Sequence, residues 1–122
     1  MYPSEALKQR SKQFALGIIL LFRALPATED ARVLGKQLLR SGTSVAANYR
    51  ASCRARSRAE FVSKIGVVVE EADESVLWLE LLNETGIVPS ERTAALMKEA
   101  NELLAIFAAS YHTAKYKSTS SQ

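Results

Sequence analysis

The sequence predicts an all-α chain, a single antiparallel up-and-down four-helix bundle, and three observations predict it. Its 122 residues, 48% of them hydrophobic, suffice for one core and not for two. Glycine (5) and proline (3) are scarce while Ala, Leu, Glu, Lys and Arg are abundant, which is the composition of long helices. Apolar residues recur at steps of three and four in consecutive stretches joined by short turn signals, with no strand-like alternation and no internal repeat.

The first helix is expected from about Ser4, as N-cap, to Leu25. Leu7, Phe14, Ile18, Leu21 and Leu25 form its stripe and Pro26 stops it. The apolar run Phe14–Phe22 is nine residues long. That falls well short of the roughly 20 needed to cross a bilayer, so it reads as a core segment. Thr28 caps the second helix, with Glu29 and Asp30 in its first turn, and the helix continues to about Ala55. Gly35, Gly42, Ala46 and Ala47 thin this helix for a close neighbour, and Asn48 beside them reads as a buried, structural hydrogen-bonding residue.

The third helix has the best-marked start. Ser57-Arg-Ala-Glu60 is a Ser-x-x-Glu capping box, followed at once by Phe61-Val62. Phe61, Ile65, Val68, Ala72, Val76, Leu79 and Leu82 supply its buried stripe, along a rod of about 42 Å at ~1.5 Å per residue. Gly86 offers a left-handed stop, and Pro89-Ser90 ends the old helix while Ser90 caps the new one. The fourth helix carries Leu96, Ala100, Leu103, Leu104, Phe107, Ala108 and Tyr111 to about Lys115. The bundle is thus expected over residues 1–117, with 118–122 as a disordered tail.

Several function classes lose their footing. The lone Cys53 excludes an internal disulfide and a multi-thiolate metal site, and the single His112 excludes the paired Glu-x-x-His motifs of a di-iron bundle. No metal or cofactor is therefore expected. The N-terminus shows no secretory signal, which makes the cytoplasm the default location and gives no reason to invoke a membrane. Ser44 and Ser57 have no histidine partner, so nucleophilic catalysis has no support and a non-enzymatic protein is expected. One enzymatic alternative stays open: Glu70-Glu71-x-Asp73-Glu74 and Glu99-x-x-Glu102 have the spacing with which all-α nucleotide pyrophosphohydrolases hold Mg²⁺. It requires Glu71, Glu74, Glu99 and Glu102 to converge.

The charge is the informative feature. The net value is +3, yet residues 1–58 carry +8 and residues 59–122 carry −5. On helix two, Arg32, Lys36, Arg40, Arg50 and Arg54 share a stripe with Thr43 and Ala47. If the hairpin turns near Ser57, residues whose numbers sum to about 113 face one another. Arg40 then lies beside Asp73 and Glu74 and reads as a structural ion-pair member, whereas Arg50 faces Ser63 and Arg54 faces Ala59. Glu60, the nearest carboxylate, is engaged in the cap. Residues 50–64 hold five cations, Arg50, Arg54, Arg56, Arg58 and Lys64, against one anion. Such a tip fits phosphates, with a slope of log affinity against log salt near −3 to −4 for about four contacts. A solvated tip or a contact with acidic residues of another subunit is the alternative. Base readout is expected to be slight, because the patch lacks interleaved aromatics beyond Tyr49. Trp78, with Leu77 and Leu81, falls off the main stripe and points to self-association.

The segment Leu38-Leu-Arg-Ser-Gly-Thr-Ser-Val-Ala-Ala-Asn-Tyr-Arg-Ala-Ser-Cys-Arg-Ala-Arg-Ser-Arg-Ala-Glu-Phe61 and the run Glu70-Glu-Ala-Asp-Glu-Ser-Val-Leu-Trp-Leu-Glu-Leu-Leu82 resemble the four helix bundle protein family, the ribosomal RNA intervening-sequence (S23) proteins. Many members read Asn-Ile-Ala-Glu-Gly where this chain has Asn48-Tyr49-Arg50-Ala51-Ser52, so it resembles the branch carrying Asn-Tyr-Arg-Ala. The resemblance implies a bundle that assembles as a barrel-shaped homopentamer with a positively charged surface. Some members are encoded inside intervening sequences of large-subunit ribosomal RNA genes. A similar protein, the accessory variability determinant of diversity-generating retroelements, partners a reverse transcriptase and binds nucleic acid. The family's Arg-x-Ser signature falls on Arg54 or Arg56 with Ser57, and its Glu-Phe pair on Glu60-Phe61, the latter as cap and core. RNA or DNA, a second protein such as a reverse transcriptase, and further copies of the chain are the partners this implies; an adaptor binding an acidic protein is the alternative.

Overall fold

The computed structural model describes residues 4–117; residues 1–3 and the expected tail at 118–122 lie outside the described residues. Helix α1 runs Ser4–Ala24, α2 Glu29–Cys53, α3 Arg58–Glu84 and α4 Ser90–His112, after which one π-helical turn covers Thr113–Lys117. Among the described residues there is no strand. No described helix is long and apolar enough to cross a membrane.

The local signals act at different strengths. At the start of α3, the Ser57 hydroxyl accepts from the Glu60 backbone N–H at 3.0 Å, as the capping box requires. The return bond is shifted by one residue, since Glu60 accepts from the Arg56 N–H at 3.0 Å and not from that of Ser57. Gly86 takes φ +78° after the end of α3, a conformation costly for any side chain with a Cβ, and the Val88 N–H then reaches back to the Leu82 carbonyl at 3.1 Å. Two expected caps differ. Thr28 has the extended backbone of an N-cap, but its hydroxyl bonds Asp30 Oδ1 at 2.8 Å, and that oxygen accepts from the Ala31 N–H. A carboxylate two residues on outcompetes the hydroxyl. At α4 the cap is Pro89, whose carbonyl accepts from the Arg92 N–H at 3.0 Å, and Ser90 is already helical.

Consecutive helices pack antiparallel, most extensively α2 with α3, then α3 with α4 and α1 with α2; α1 and α4 meet least. Ile18, Leu38, Ile65, Leu79, Leu82, Leu103 and Phe107 are fully buried between them. Each contributes about 1.5–3 kcal/mol by leaving water. The thin positions of α2 do what their size suggests: a Cβ on Gly35 would lie 2.6 Å from Leu25 Cδ1, and one on Gly42 would lie 2.9 Å from Ile18 Cγ1. Between α2 and α3 the buried hydroxyls of Ser41 and Ser75 lie 2.9 Å apart, a polar contact that specifies the pairing of the two helices.

Candidate nucleic-acid interface

The antiparallel order brings four chain regions to one end of the bundle: the first turns of α1, the last turn of α2, the α2–α3 connection with the first turns of α3, and the last turns of α4. Helix α2 ends with the N–H groups of Arg54 and Ala55 bonded to the carbonyls of Ala51 and Ser52, and the Ser57 cap starts α3 at once. That short connection holds Arg54, Arg56 and Arg58 outward. All three are exposed, as is Arg50, while Lys64 is half-buried. Among the described residues none of these five side chains makes a hydrogen bond or ion pair. Glu60, the acid nearest in sequence, accepts from the Arg56 backbone N–H, so its charge serves the cap. Glu5 sits near the same end; its carboxyl is held below its usual range by its hydrogen bonds to Gln9 and Lys8, with a smaller contribution from Arg50.

Of the remaining cations on helix two's stripe, Arg32 and Lys36 are exposed and make no ion pair among the described residues, whereas Arg40 is clamped. Arg40 Nη2 lies 3.3 Å from Glu74 and 3.7 Å from Glu71 on α3. Asp73, which the hairpin rule also set beside Arg40, is exposed on another side of the helix. Burial raises the Glu71 carboxyl above its usual range against the pull of Arg40, and its Oε1 has no hydrogen-bond partner. Asn48 is half-buried and closes a local bond, donating to the Ser44 carbonyl at 3.0 Å and to the Ser44 hydroxyl at 2.8 Å. Trp78 is half-buried, with its indole N–H shielded and unbonded.

The sequence reading missed a second arginine clamp. Arg10 on α1 bonds both oxygens of Glu99, Nη2 at 2.7 Å and Nε at 3.0 Å, and reaches Glu102 at 3.1 Å on α4. Its guanidinium pKa is raised, chiefly by the bond to Glu99. The two acidic pairs are therefore held by two different arginines across two different helix interfaces. They do not converge, and among the described residues no group of three or more His, Cys, Asp or Glu could hold a metal ion. The convergence of Glu71, Glu74, Glu99 and Glu102 that the hydrolase reading requires is not found among the described residues.

The aromatic content of the basic end also needs correction. Tyr49 is 5% exposed and packs on Phe107 with ring centroids 5.1 Å apart, so it serves the core and offers no face to a base. The aromatics at this end come from the last turns of α4. Tyr111 packs against Gly66 of α3, 3.2 Å from where a Cβ would stand. Lys115 donates to the Tyr111 hydroxyl at 3.1 Å and lies 5.4 Å above that ring and 5.5 Å from the Tyr116 ring, contacts that raise its ammonium pKa. His112 and Tyr116 are exposed and their rings meet in a tilted contact, with centroids 4.6 Å apart and planes at 48°. Only antiparallel packing of α3 and α4 brings them near residues some fifty positions earlier, which is why the segment alone did not reveal them.

Fold and site together define a small helical bundle in which Arg10 and Arg40 are clamped across helix interfaces and a cluster of five cations without ion pairs among the described residues gathers at one end. The profile of the 23S rRNA-intervening sequence protein family matches residues 5–109, and the chain belongs to that family. Among solved structures it is similar to a protein of unknown function from the S23 ribosomal protein family of Bacteroides thetaiotaomicron VPI-5482. The two share 35% identity and a TM-score of 0.80, over 85% of this chain and 96% of that one. No functionally curated protein matches.

Proposed function

We propose that the protein is a non-enzymatic, cytoplasmic, homo-oligomeric bundle, a pentamer, that binds RNA or another nucleic acid through Arg50, Arg54, Arg56, Arg58 and Lys64. One observation carries the reading. Arg10 and Arg40 are each held by a pair of glutamates, whereas Arg50, Arg54, Arg56, Arg58 and Lys64 are gathered at one end of the bundle and make no ion pair among the described residues. Unpaired guanidiniums in solvent match phosphate geometry and release counterions on binding. Docking is mainly to the phosphate backbone, with His112 and Tyr116 as the surfaces on which an unpaired base would stack.

Oligomerisation is supported by two apolar areas on different helices. Leu16 and Leu20 stand out on α1, while α2 and α3 expose Val33 and Leu77 beside half-buried Trp78 and Leu81. Two unlike patches on one chain suit a head-to-tail contact, which closes into a ring.

Binding of a labelled structured RNA over a salt series, with mass measured alongside, tests both parts. Tight wild-type binding is expected, with a slope that flattens when Arg50, Arg54, Arg56 and Arg58 all become Ala at unchanged mass. No binding at low salt sinks the nucleic-acid reading and favours an adaptor for an acidic protein. A variant that falls to monomers assigns the arginines to subunit contacts.

A further inference from the structure

Beside the basic end, α1 and α2 leave a groove of about 410 Å³ lined by Lys8, Lys12, Thr43, Ala46, Ala47 and Arg50. Its floor is made of small residues because α2 is thinned where α1 crosses it, with the Gly42 Cα facing Ile18 directly. Lys8 and Lys12 stand one helical turn apart, about 6 Å along α1. Arg50, on the opposite wall, belongs to the groove and to the end patch alike. One carboxylate stands at its mouth: Glu5, 3.3 Å from Lys8. Lys12 and Arg50 make no ion pair among the described residues.

We infer that this groove is the track along which a single-stranded nucleic acid leaves the basic end, its phosphates passing between Lys12 and Arg50 over Ala46 and Ala47. The inference rests on the nucleic-acid reading above and names the form of the ligand. Three cations around a floor without carboxylates or bulky side chains complement a phosphodiester chain in charge and let its backbone approach closely. The groove is an open depression of about 410 Å³ between the walls of α1 and α2, too small to admit a duplex and of a size to seat a stretch of one strand's backbone. With no aromatic lining, it reads no base, so the preference is for strandedness and not for sequence.

The experiment compares binding of a fluorescent oligouridine and of a blunt RNA duplex to the full chain, as wild type, Lys12→Ala, Ala47→Glu and the fourfold arginine variant, with circular dichroism and mass as controls. Lys12 and Ala47 are exposed, so both single variants keep the fold. The expected result is that wild type prefers oligouridine. Lys12→Ala lowers its salt slope by about 0.7, the single-strand value per contact. Ala47→Glu weakens oligouridine severalfold while leaving duplex binding nearly unchanged, and Lys12→Arg restores the slope. Oligouridine binding that both groove variants leave intact while the fourfold variant loses it would overturn the groove and spare the function. Preference for the duplex would do the same. Failure of wild type to bind either probe at low salt would overturn both.

Discussion

The middle of the bundle and its basic end are built from the same residue type put to opposite uses. In the middle, Arg10 and Arg40 each cross a helix interface to a Glu-x-x-Glu pair on the neighbouring helix, Glu99 with Glu102 and Glu71 with Glu74. At the end, Arg50, Arg54, Arg56 and Arg58 are exposed and make no ion pair among the described residues, Glu60 being engaged with backbone and Glu5 with Lys8 and Gln9. The lesson is that the number of arginines says little. What decides their role is whether a carboxylate stands one antiparallel register step away.

The strongest way to break this contrast is to supply the missing acids. Changing Ala59→Glu and Ser63→Glu together, both at exposed positions, creates at the end the arrangement found in the middle. RNA affinity at physiological salt is expected to fall about a hundredfold or more, as phosphate contacts are replaced by internal pairs. Helicity should hold, and filter binding against circular dichroism checks both.

Next in size is Arg40→Ala. It leaves the Glu71 carboxylate largely buried beside Glu74 and should cost about 1–2 kcal/mol at neutral pH, read from the urea midpoint. The sign with pH is distinctive. Burial already holds the Glu71 pKa above its unfolded value, so the fold favours the protonated form, and that contribution is lost as pH rises through the folded pKa. Without Arg40 the pKa rises further, so the deficit of the variant shrinks on acidification through the carboxyl range. A deficit independent of pH would contradict this account.

Ser57→Ala removes the hydroxyl that caps α3 and aims the basic connection; about 1 kcal/mol is expected, a fall in Tm of roughly 3–6 °C by calorimetry. Arg10→Ala should be the mildest, at about 0.5–1 kcal/mol, because its shorter, two-pronged bonds are half open to solvent and screened. The looser clamp is thus expected to matter more than the tighter one. Adding salt should narrow both differences, since solvent reaches both clamps.

Much of the architecture could be read locally. Pro26, the Ser57–Glu60 box and Gly86 act through neighbours within a few residues, and the structure ends and starts helices beside each. Where a local signal had a competitor, the reading slipped. Asp30 took the bond expected of Thr28, and Pro89 preceded Ser90 as cap. The Arg40–Glu74 contact was legible because α2 and α3 form a hairpin with one free parameter. The Arg10 clamp was not, because α1 and α4 are joined only by closure of the bundle. Tyr49 was misplaced through its company: it adjoins Arg50, yet it follows Leu38, Gly42 and Val45 on the buried stripe.

The sparse contact between α1 and α4 has a dynamic consequence. The outer helices α1 and α4 are less attached than α2 and α3, and α1 is held by α2 along one side and by little beyond Arg10 and the Gly17–Leu96 approach on the other. Thermal breathing of the native state therefore begins with α1 swinging from α4 while the α2–α3 pair stays closed. Amide protons should exchange in that order, faster in α1 and α4 and slowest in the middle of α2 and α3. Any subunit contact that uses Leu16 and Leu20 would slow the exchange of α1 in particular, so the same amides report on assembly.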